Sequence, residues 1–536
     1  MKVKEIVVLS IVLIGLSPIF YKPVFSYDVW IHLKMGEFIV KQDYHLPESD
    51  PFSQSTKDSQ LVHHEWLSQL ALYWTHHIFG FSGIRTMRVI LILAALVLVF
   101  RAAFRMTGRL SVSLLALLVT AYLFRTRYLI RPELFSLVLL PFFYYRLFIS
   151  REQMGRLAYF GLFILLVLWV NLHPFMLFIG FVIVLLVVAR MAKRLPWAQS
   201  VFSFPDRSYD PVILLLLFLA ASLINPQSYE IYGYVFHATP LVARYIREWQ
   251  SVFIGLQSEF FKAVSGGVLA FPVIMKGLVI GIPGFFLIVL VLSYARRVKW
   301  SLEDLFLGLW VSYMAVKSAR FVWLLFIPLL LIVKYGARLA EQDPVWEKIK
   351  PGGTICLRMA LAVALLYWIG QGYQRIPYHF SRQIEDHRYP EGPVNIIKQA
   401  NLSGRLYNPN GWGGYLIYHL YPHHKPFIDT RSHLHGETRL VEAKMIQYQY
   451  PGFEALIRKY AFDILLLEKM YGGSRPFTSQ DWILLFEDSR CAMYLRRNER
   501  NAENLSRVIA YFNRNQIPFD PERGFQPKVL PDPDPL

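Results

Sequence analysis

Long apolar runs separated by short, mostly basic connectors fill the chain from its start to about residue 371. Each run approaches the roughly 20 residues a helix needs to cross a bilayer's hydrocarbon layer. The pattern predicts about eleven spans, near 5–21, 87–104, 110–124, 133–149, 157–171, 174–190, 211–225, 271–294, 302–317, 320–335 and 354–371. No small-x-small cleavage site follows the first run, so it reads as an uncleaved span rather than a signal peptide. Between spans, 31–41 and 65–78 carry apolar residues at helical spacing with polar interruptions, the pattern of helices lying along a membrane surface.

The material changes after 371. Short apolar runs such as GGYLIYHL, KPFIDTR, FDILLLEKM, WILLFED and AMYLRR read as strands, with the helical pattern GFEALIRKYA between them. The expected fold class is an α-helical polytopic membrane protein with a C-terminal extracytoplasmic α/β domain. The expected division is a transmembrane domain 1–371 with a large first outer loop 22–86, an α/β domain 372–525, and a disordered tail 526–536.

Charge sets the orientation. Lys2 and Lys4 place the N-terminus in the cytoplasm, and the alternate loops, among them RAAFRMTGR, SREQMGR and ARRVKW, are then basic as cytoplasmic loops should be. Everything after 371 is then expected outside the cytoplasm. The net charge of +18 is explained by this topology and by anionic lipid, so it does not argue for nucleic acid. Hydrophobic residues make up 54% and charged residues only 18%. The two cysteines, Cys356 and Cys491, imply no disulfide framework. Phosphate-binding P-loops, dinucleotide fingerprints, nucleophile elbows and zinc-finger spacings do not occur where their context would support them.

Candidate chemistry gathers on the outer side. The first outer loop holds Asp28, Asp50, His63, His64 and Glu65. Later outer loops hold Arg125, Arg127 and Arg131, then His173, Glu248 and Arg320. Outer loops are normally poor in arginine, so this set breaks the charge rule on one face. Arginine forks match phosphate oxygens, and carboxylates near a span are functional candidates. Single arginines at span ends also serve as plain interface anchors. A carboxylate at the outer boundary suits sugar transfer from a lipid phosphate. It takes the acceptor's proton, while fixed cations stabilise the charge developing on the leaving phosphate.

The segments YDVWIHLKMGEFIVKQDYHLPESDPFSQS and HHEWLSQLALYWTHHIFGFSGI resemble the first outer loop of bacterial multi-pass proteins placed with the GT-C superfamily of membrane glycosyltransferases. The likeness continues in order through RPELFSL, NLHPF, LINPQSYEIYGY, IREWQS and GWGGYLIYHL…PFIDTRSHLHG. The resemblance implies a bacterial inner-membrane location, a polyprenyl-phosphate-linked sugar donor, an extracytoplasmic acceptor and an inverting transfer. It also implies that an acidic residue just after the first span is the base, a place Asp28 takes, with Glu65 or Asp50 assisting. Arg125, Arg127, Arg131 and Arg320 would hold the carrier phosphate, with His173 and Glu248 lining the site. Where many relatives have a second tryptophan, Ile31 follows Trp30; Pro174 interrupts NLHPF; and no clean D-x-D motif occurs.

In the C-terminal segment Trp412, Asp429 and Arg431 are candidates for acceptor binding, or else for an ordinary turn and salt bridge. A divalent metal stays open. Adjacent His63, His64 and Glu65 cannot easily all bind one ion, and a site would also need His32 or Asp50. Glu65 equally suits the first turn of a helix through WLSQLALYW. No protein partner is indicated. Two other function classes remain: a transporter of lipid-linked glycan, and a non-catalytic assembly protein of the envelope.

Overall fold

The computed structural model describes residues 2–53, 61–235, 246–255, 270–342, 376–385, 388–469 and 481–525, with scattered positions between 359 and 374. Most of the predicted span 354–371, with Cys356, and the tail 526–536 lie outside the described residues. The chain divides into two compact units. One comprises Met1–Val24 and Val62–Gln383, the other Phe25–Leu61 and Ile384–Leu536.

The first unit is helical. Every apolar run predicted before residue 342 contains a helix: Val3–Phe20, Trp66–Thr107, Leu110–Phe124, Glu133–Tyr144, Arg156–Leu172, Met176–Ala192, Pro211–Leu223, Ala270–Ala295, Leu302–Lys317 and Phe326–Glu341. The Trp66–Thr107 helix is broken at Gly80, whose φ of +62° is open to glycine at little cost. That break separates the 65–78 segment from the span that follows, as their different polarity anticipates. The helix packs on Val3–Phe20, Leu110–Phe124, Glu133–Tyr144 and Phe326–Glu341. Arg85 and Arg88, after the break, donate to the carbonyls of Tyr21 and Lys22 and so cap the end of the first helix.

Among the described residues, 4 helical stretches are able to cross a bilayer by length and composition: Val3–Phe20, Trp66–Thr107, Val273–Ala295 and Ala319–Glu341. Leu110–Phe124, Arg156–Leu172, Met176–Ala192 and Pro211–Leu223 are apolar but shorter. The expected count of about eleven spans is therefore not confirmed.

The second unit is α/β. Its sheet has the order β1-β2-β4-β3, from Leu406–Tyr407, Ile464–Glu468, Cys491–Arg496 and Trp482–Glu487. β1 runs parallel to β2, and the other pairings are antiparallel. The three longer strands are the ones FDILLLEKM, WILLFED and AMYLRR predict. GGYLIYHL is a helix, Gly413–Leu420, not a strand, and KPFIDTR forms no strand. The Val29–Lys41 helix packs on Gly413–Leu420. Trp30, 1% exposed, meets Tyr389 and Tyr415 edge-on at 5.2 and 5.0 Å. The residues around Asp28 thus serve as the unit's aromatic core.

Candidate functional site

In the helical unit, three arginines close on two carboxylates. Arg127 and Arg131 lie in the turn before the Glu133–Tyr144 helix, and Glu133 occupies its first turn, where the helix dipole favours a negative charge. Glu248 sits in the short 3-10 turn Arg247–Trp249, and Arg320 in the 3-10 run Ala319–Leu325. Arg127 Nη1 reaches Glu133 at 3.0 Å and Glu248 at 3.4 Å. Arg131 Nη1 lies 3.1 Å from both Glu248 oxygens. Arg320 bridges the two acids, at 2.8 Å to Glu248 and 3.3 Å to Glu133, while its guanidinium lies 4.6 Å above the Trp249 ring. The Ser318 side chain accepts from Arg320 N, and Ala319 N donates to Gln250 O, which ties the two turns together.

Three guanidiniums thus share these two carboxylates. Burial pushes the Glu248 carboxyl up, but Arg131, Arg127 and Arg320 outweigh it and hold it well below the usual range. The arginines divide by exposure. The Arg127 side chain is 0% exposed, Arg131 is 16% and Arg320 is 21%. Arg127 Nε and Nη2 are buried and have no hydrogen-bond partner among the described residues. Arg125, expected in the same group, turns instead to the Tyr122 ring at 5.5 Å.

One turn beyond Glu133, Ser136 begins a second network. Its hydroxyl accepts from Trp169 Nε1 at 2.8 Å and lies 2.9 Å from His173 Nδ1. His173 Nε2 lies 3.8 Å from Glu65 Oε1, and His64 Nε2 lies 3.6 Å from Glu65 Oε2. Tyr234 stacks on His64 with ring centroids 4.2 Å apart. Tyr234 feels the charges of both Glu65 and Arg320, so the two networks are neighbours. Beside Glu65, an apolar groove of about 560 Å³ runs between Trp66 and Leu67, Val167 and Leu168, and Leu223 and Ile224. Asn171, also in its wall, is turned inward: it accepts from Trp66 Nε1 and donates to Ile224 O, leaving the surface apolar.

In the α/β unit, Asp28 precedes the Val29–Lys41 helix at its N-cap position and is partly exposed. Asp50, expected to assist catalysis, is 0% exposed and committed to Arg431 through bonds of 2.7 and 3.0 Å. Arg431 simultaneously grips Asp429, by Nε at 3.0 Å and Nη2 at 2.7 Å. Ser53 Oγ and His435 also hold Asp429. Burial raises the Asp429 carboxyl, but Arg431 and His435 override it and hold it well below the usual range. Trp412 is 2% exposed and donates to Arg388 O at 3.2 Å. The residues expected to touch an acceptor are thus buried in a structural network.

Sequence reasoning missed Ser136, Trp169 and Tyr234. Ser136 and Trp169 stand inside apolar runs, where a lone serine or tryptophan carries no functional signal. Among the described residues, no group of 3 or more His, Cys, Asp and Glu is placed to hold a metal ion.

No family model matches the chain, and no curated protein matches it. Solved structures do. The archaeal oligosaccharyltransferase AglB from Archaeoglobus fulgidus, in complex with an inhibitory peptide and a dolichol-phosphate, aligns with a TM-score of 0.51 at 11% identity. The alignment covers 87% of this chain and 69% of that one. An oligosaccharyltransferase from the same organism, tethered to an acceptor peptide containing the NVT sequon, aligns with a TM-score of 0.49 at 12% identity, with the same coverage. At 11% identity the likeness is one of fold alone, a largely helical chain with a C-terminal domain.

Proposed function

We propose that the chain is an integral membrane glycosyltransferase that moves a sugar or glycan from a polyprenyl-phosphate-type carrier to an acceptor outside the cytoplasm. The observation that carries this reading is the arginine–carboxylate cluster. It presents two partly exposed guanidiniums, and Arg127 Nε and Nη2 have no hydrogen-bond partner among the described residues. Buried guanidinium donors are costly to leave unmatched, and an anion would match them. A lipid phosphate supplies one, and guanidiniums bind it in matched geometry. The GT-C-type fold and the apolar groove beside Glu65 support the same reading. The groove would take the first part of the carrier's hydrocarbon chain.

In the reaction, the bond between the sugar's anomeric carbon and the phosphate oxygen breaks, and the phosphate keeps the electron pair. An acceptor heteroatom bonds to that carbon and gives its proton to a carboxylate. Arg131 and Arg320 face the charge that develops on the leaving phosphate, where fixed donors lower the barrier most. Arg127 fixes Glu133 and Glu248, which in turn orient the other two arginines. Asp28 is proposed as the base and Glu65 as the assisting carboxylate; a single displacement inverts the anomeric centre. The orientation proposed has the N-terminus in the cytoplasm and the C-terminal unit outside.

The test is the mass spectrum of cell-surface glycans, lipids and glycoproteins in a strain lacking the protein. The reading expects a sugar mass to disappear, to return with the wild type, and to stay absent with Arg320→Ala at matched abundance. Unchanged spectra, or full return with Arg320→Ala, would overturn it.

A further inference from the structure

Glu65 lies between two histidines, and their surroundings assign each ring its proton. His64 Nδ1 is 3.0 Å from the carbonyl oxygen of Val62, which can only accept, so Nδ1 carries a hydrogen. Burial lowers the His64 pKa to about 4, so its Nε2 is a lone pair at neutral pH. The Tyr234 hydroxyl, 3.1 Å away, donates to that lone pair. His64 therefore offers Glu65 no hydrogen, although the two stand at ion-pair distance.

His173 is arranged the other way. The Trp169 indole can only donate, and it donates to Ser136 Oγ. Among the described residues, the acceptor then in reach of the Ser136 hydroxyl hydrogen is His173 Nδ1. Reversing this bond, or protonating both ring nitrogens, leaves a buried hydroxyl hydrogen without an acceptor among the described residues, which is costly. The remaining ring hydrogen of His173 is thus on Nε2, the atom facing Glu65 Oε1. At 3.8 Å this is an electrostatic neighbour, longer than a hydrogen bond.

We propose that Glu65, the assisting carboxylate, is held charged between two histidines of opposite tautomer, with Ser136 and Trp169 as the positioning residues that set the donor. This rests on the transferase reading for Glu65's part in the reaction, not for the tautomers. His173 Nε2–H stabilises the charged carboxylate at Oε1. His64, its Nε2 lone pair taken by the Tyr234 hydroxyl, sets no histidine hydrogen against Oε2. The donor is therefore on one side only, and it favours the charged form of Glu65. The Glu65 side chain is 18% exposed, so a substrate can reach it.

Two measurements test this. Solid-state 15N spectra of histidine-labelled protein in lipid nanodiscs at pH 7, with peaks assigned by their loss in His64→Gln and His173→Gln, read the tautomers directly. The expected result is a bare Nδ1 on His173, a bare Nε2 on His64, and loss of the His173 preference in Ser136→Ala with His64 unchanged. A bare Nε2 on His173, or an unchanged His173 in Ser136→Ala, would overturn the assignment whatever reaction the protein performs. The second measurement is restoration of the missing sugar mass at matched abundance. Ser136→Thr should retain function and Ser136→Ala lose about 10-fold, while His173→Gln, whose amide nitrogen stands where Nε2 stood, should exceed His173→Asn. Equal function in Ser136→Ala and wild type overturns the positioning role. No restoration by the wild type overturns the transferase reading instead and leaves the spectra to judge the tautomers.

Discussion

Arg320 Nη1 donates to Glu248 Oε1 at 2.8 Å, across 72 positions of the chain. The same guanidinium reaches Glu133 at 3.3 Å. Removing Glu248 leaves three guanidiniums around one carboxylate, so Glu248→Ala should cost about 3–5 kcal/mol of stability. Arg127→Ala should cost a similar amount, because it leaves both buried acids short of a partner. Arg320→Ala should cost less, since its partly exposed side chain is replaced by water, yet it should abolish sugar transfer. Thermal unfolding in nanodiscs beside the glycan mass spectrum separates the two effects. Equal stability losses for Arg127→Ala and Arg320→Ala would contradict the division of roles.

Arg431 holds Asp50 and Asp429 at once, the former from 381 positions away. Arg431→Met removes the cation that the two buried carboxylates share. A loss of about 3–5 kcal/mol is expected, measured by denaturant unfolding. Asp50→Asn keeps the shape and one acceptor oxygen, so a smaller loss is expected. If Asp50→Asn is as stable as wild type but inactive, Asp50 acts in the chemistry and not only in the fold.

Stability should fall with acidity in two stages. His64 is held near 4 against its usual 6.5 by burial, so the unfolded chain binds a proton that the folded chain refuses. Its contribution is complete above about pH 6.5 and is lost as pH falls toward 4. Asp429 is depressed well below its usual 3.8, so its contribution persists to lower pH and is lost as pH falls through its own lowered value. Melting temperatures from pH 8 to pH 2 should show the upper stage and the onset of the lower. His64→Gln should shrink the upper one, to which His419, also held near 4 by burial, contributes as well, and leave the lower.

Gly413 is required by a close approach. A Cβ there would stand 2.2 Å from Ile428 O and 2.5 Å from Asp429 Cα, both backbone atoms that cannot rotate away. Gly413→Ala should therefore shift the strand-like segment carrying Asp429 and lower the melting temperature measurably. Gly436→Ala, with open space around it, should act only through its backbone conformation, where φ is +71°. A Gly413→Ala protein as stable as wild type would refute the contact.

Much of this was legible from the sequence, for reasons that differ by element. Apolar runs bury or face lipid along their whole length, so the helices announced themselves, and the Gly80 break marked where polarity changed. GGYLIYHL was misread because its apolar residues are nearly contiguous, which leaves the period undecided. Gly413 and Gly414 then let a helix pack where larger residues would keep it away. The arginine cluster was visible as a violation of the charge rule, but not its sorting into buried Arg127 and exposed Arg320. The Asp50–Arg431 pair joins distant segments, and Ser136 and Trp169 look like ordinary residues of apolar helices, so neither role had a local signature.

The central claim is that Asp28 and Glu65 serve a transfer from a lipid phosphate. The most direct measurement compares the surface glycans of a deletion strain carrying wild type, Asp28→Asn or Glu65→Gln at equal membrane abundance. The account predicts that the wild type restores a missing sugar, that Asp28→Asn restores none, and that Glu65→Gln restores it about 100-fold more slowly. Full restoration by Asp28→Asn would contradict the account and move a transport or assembly role ahead of catalysis.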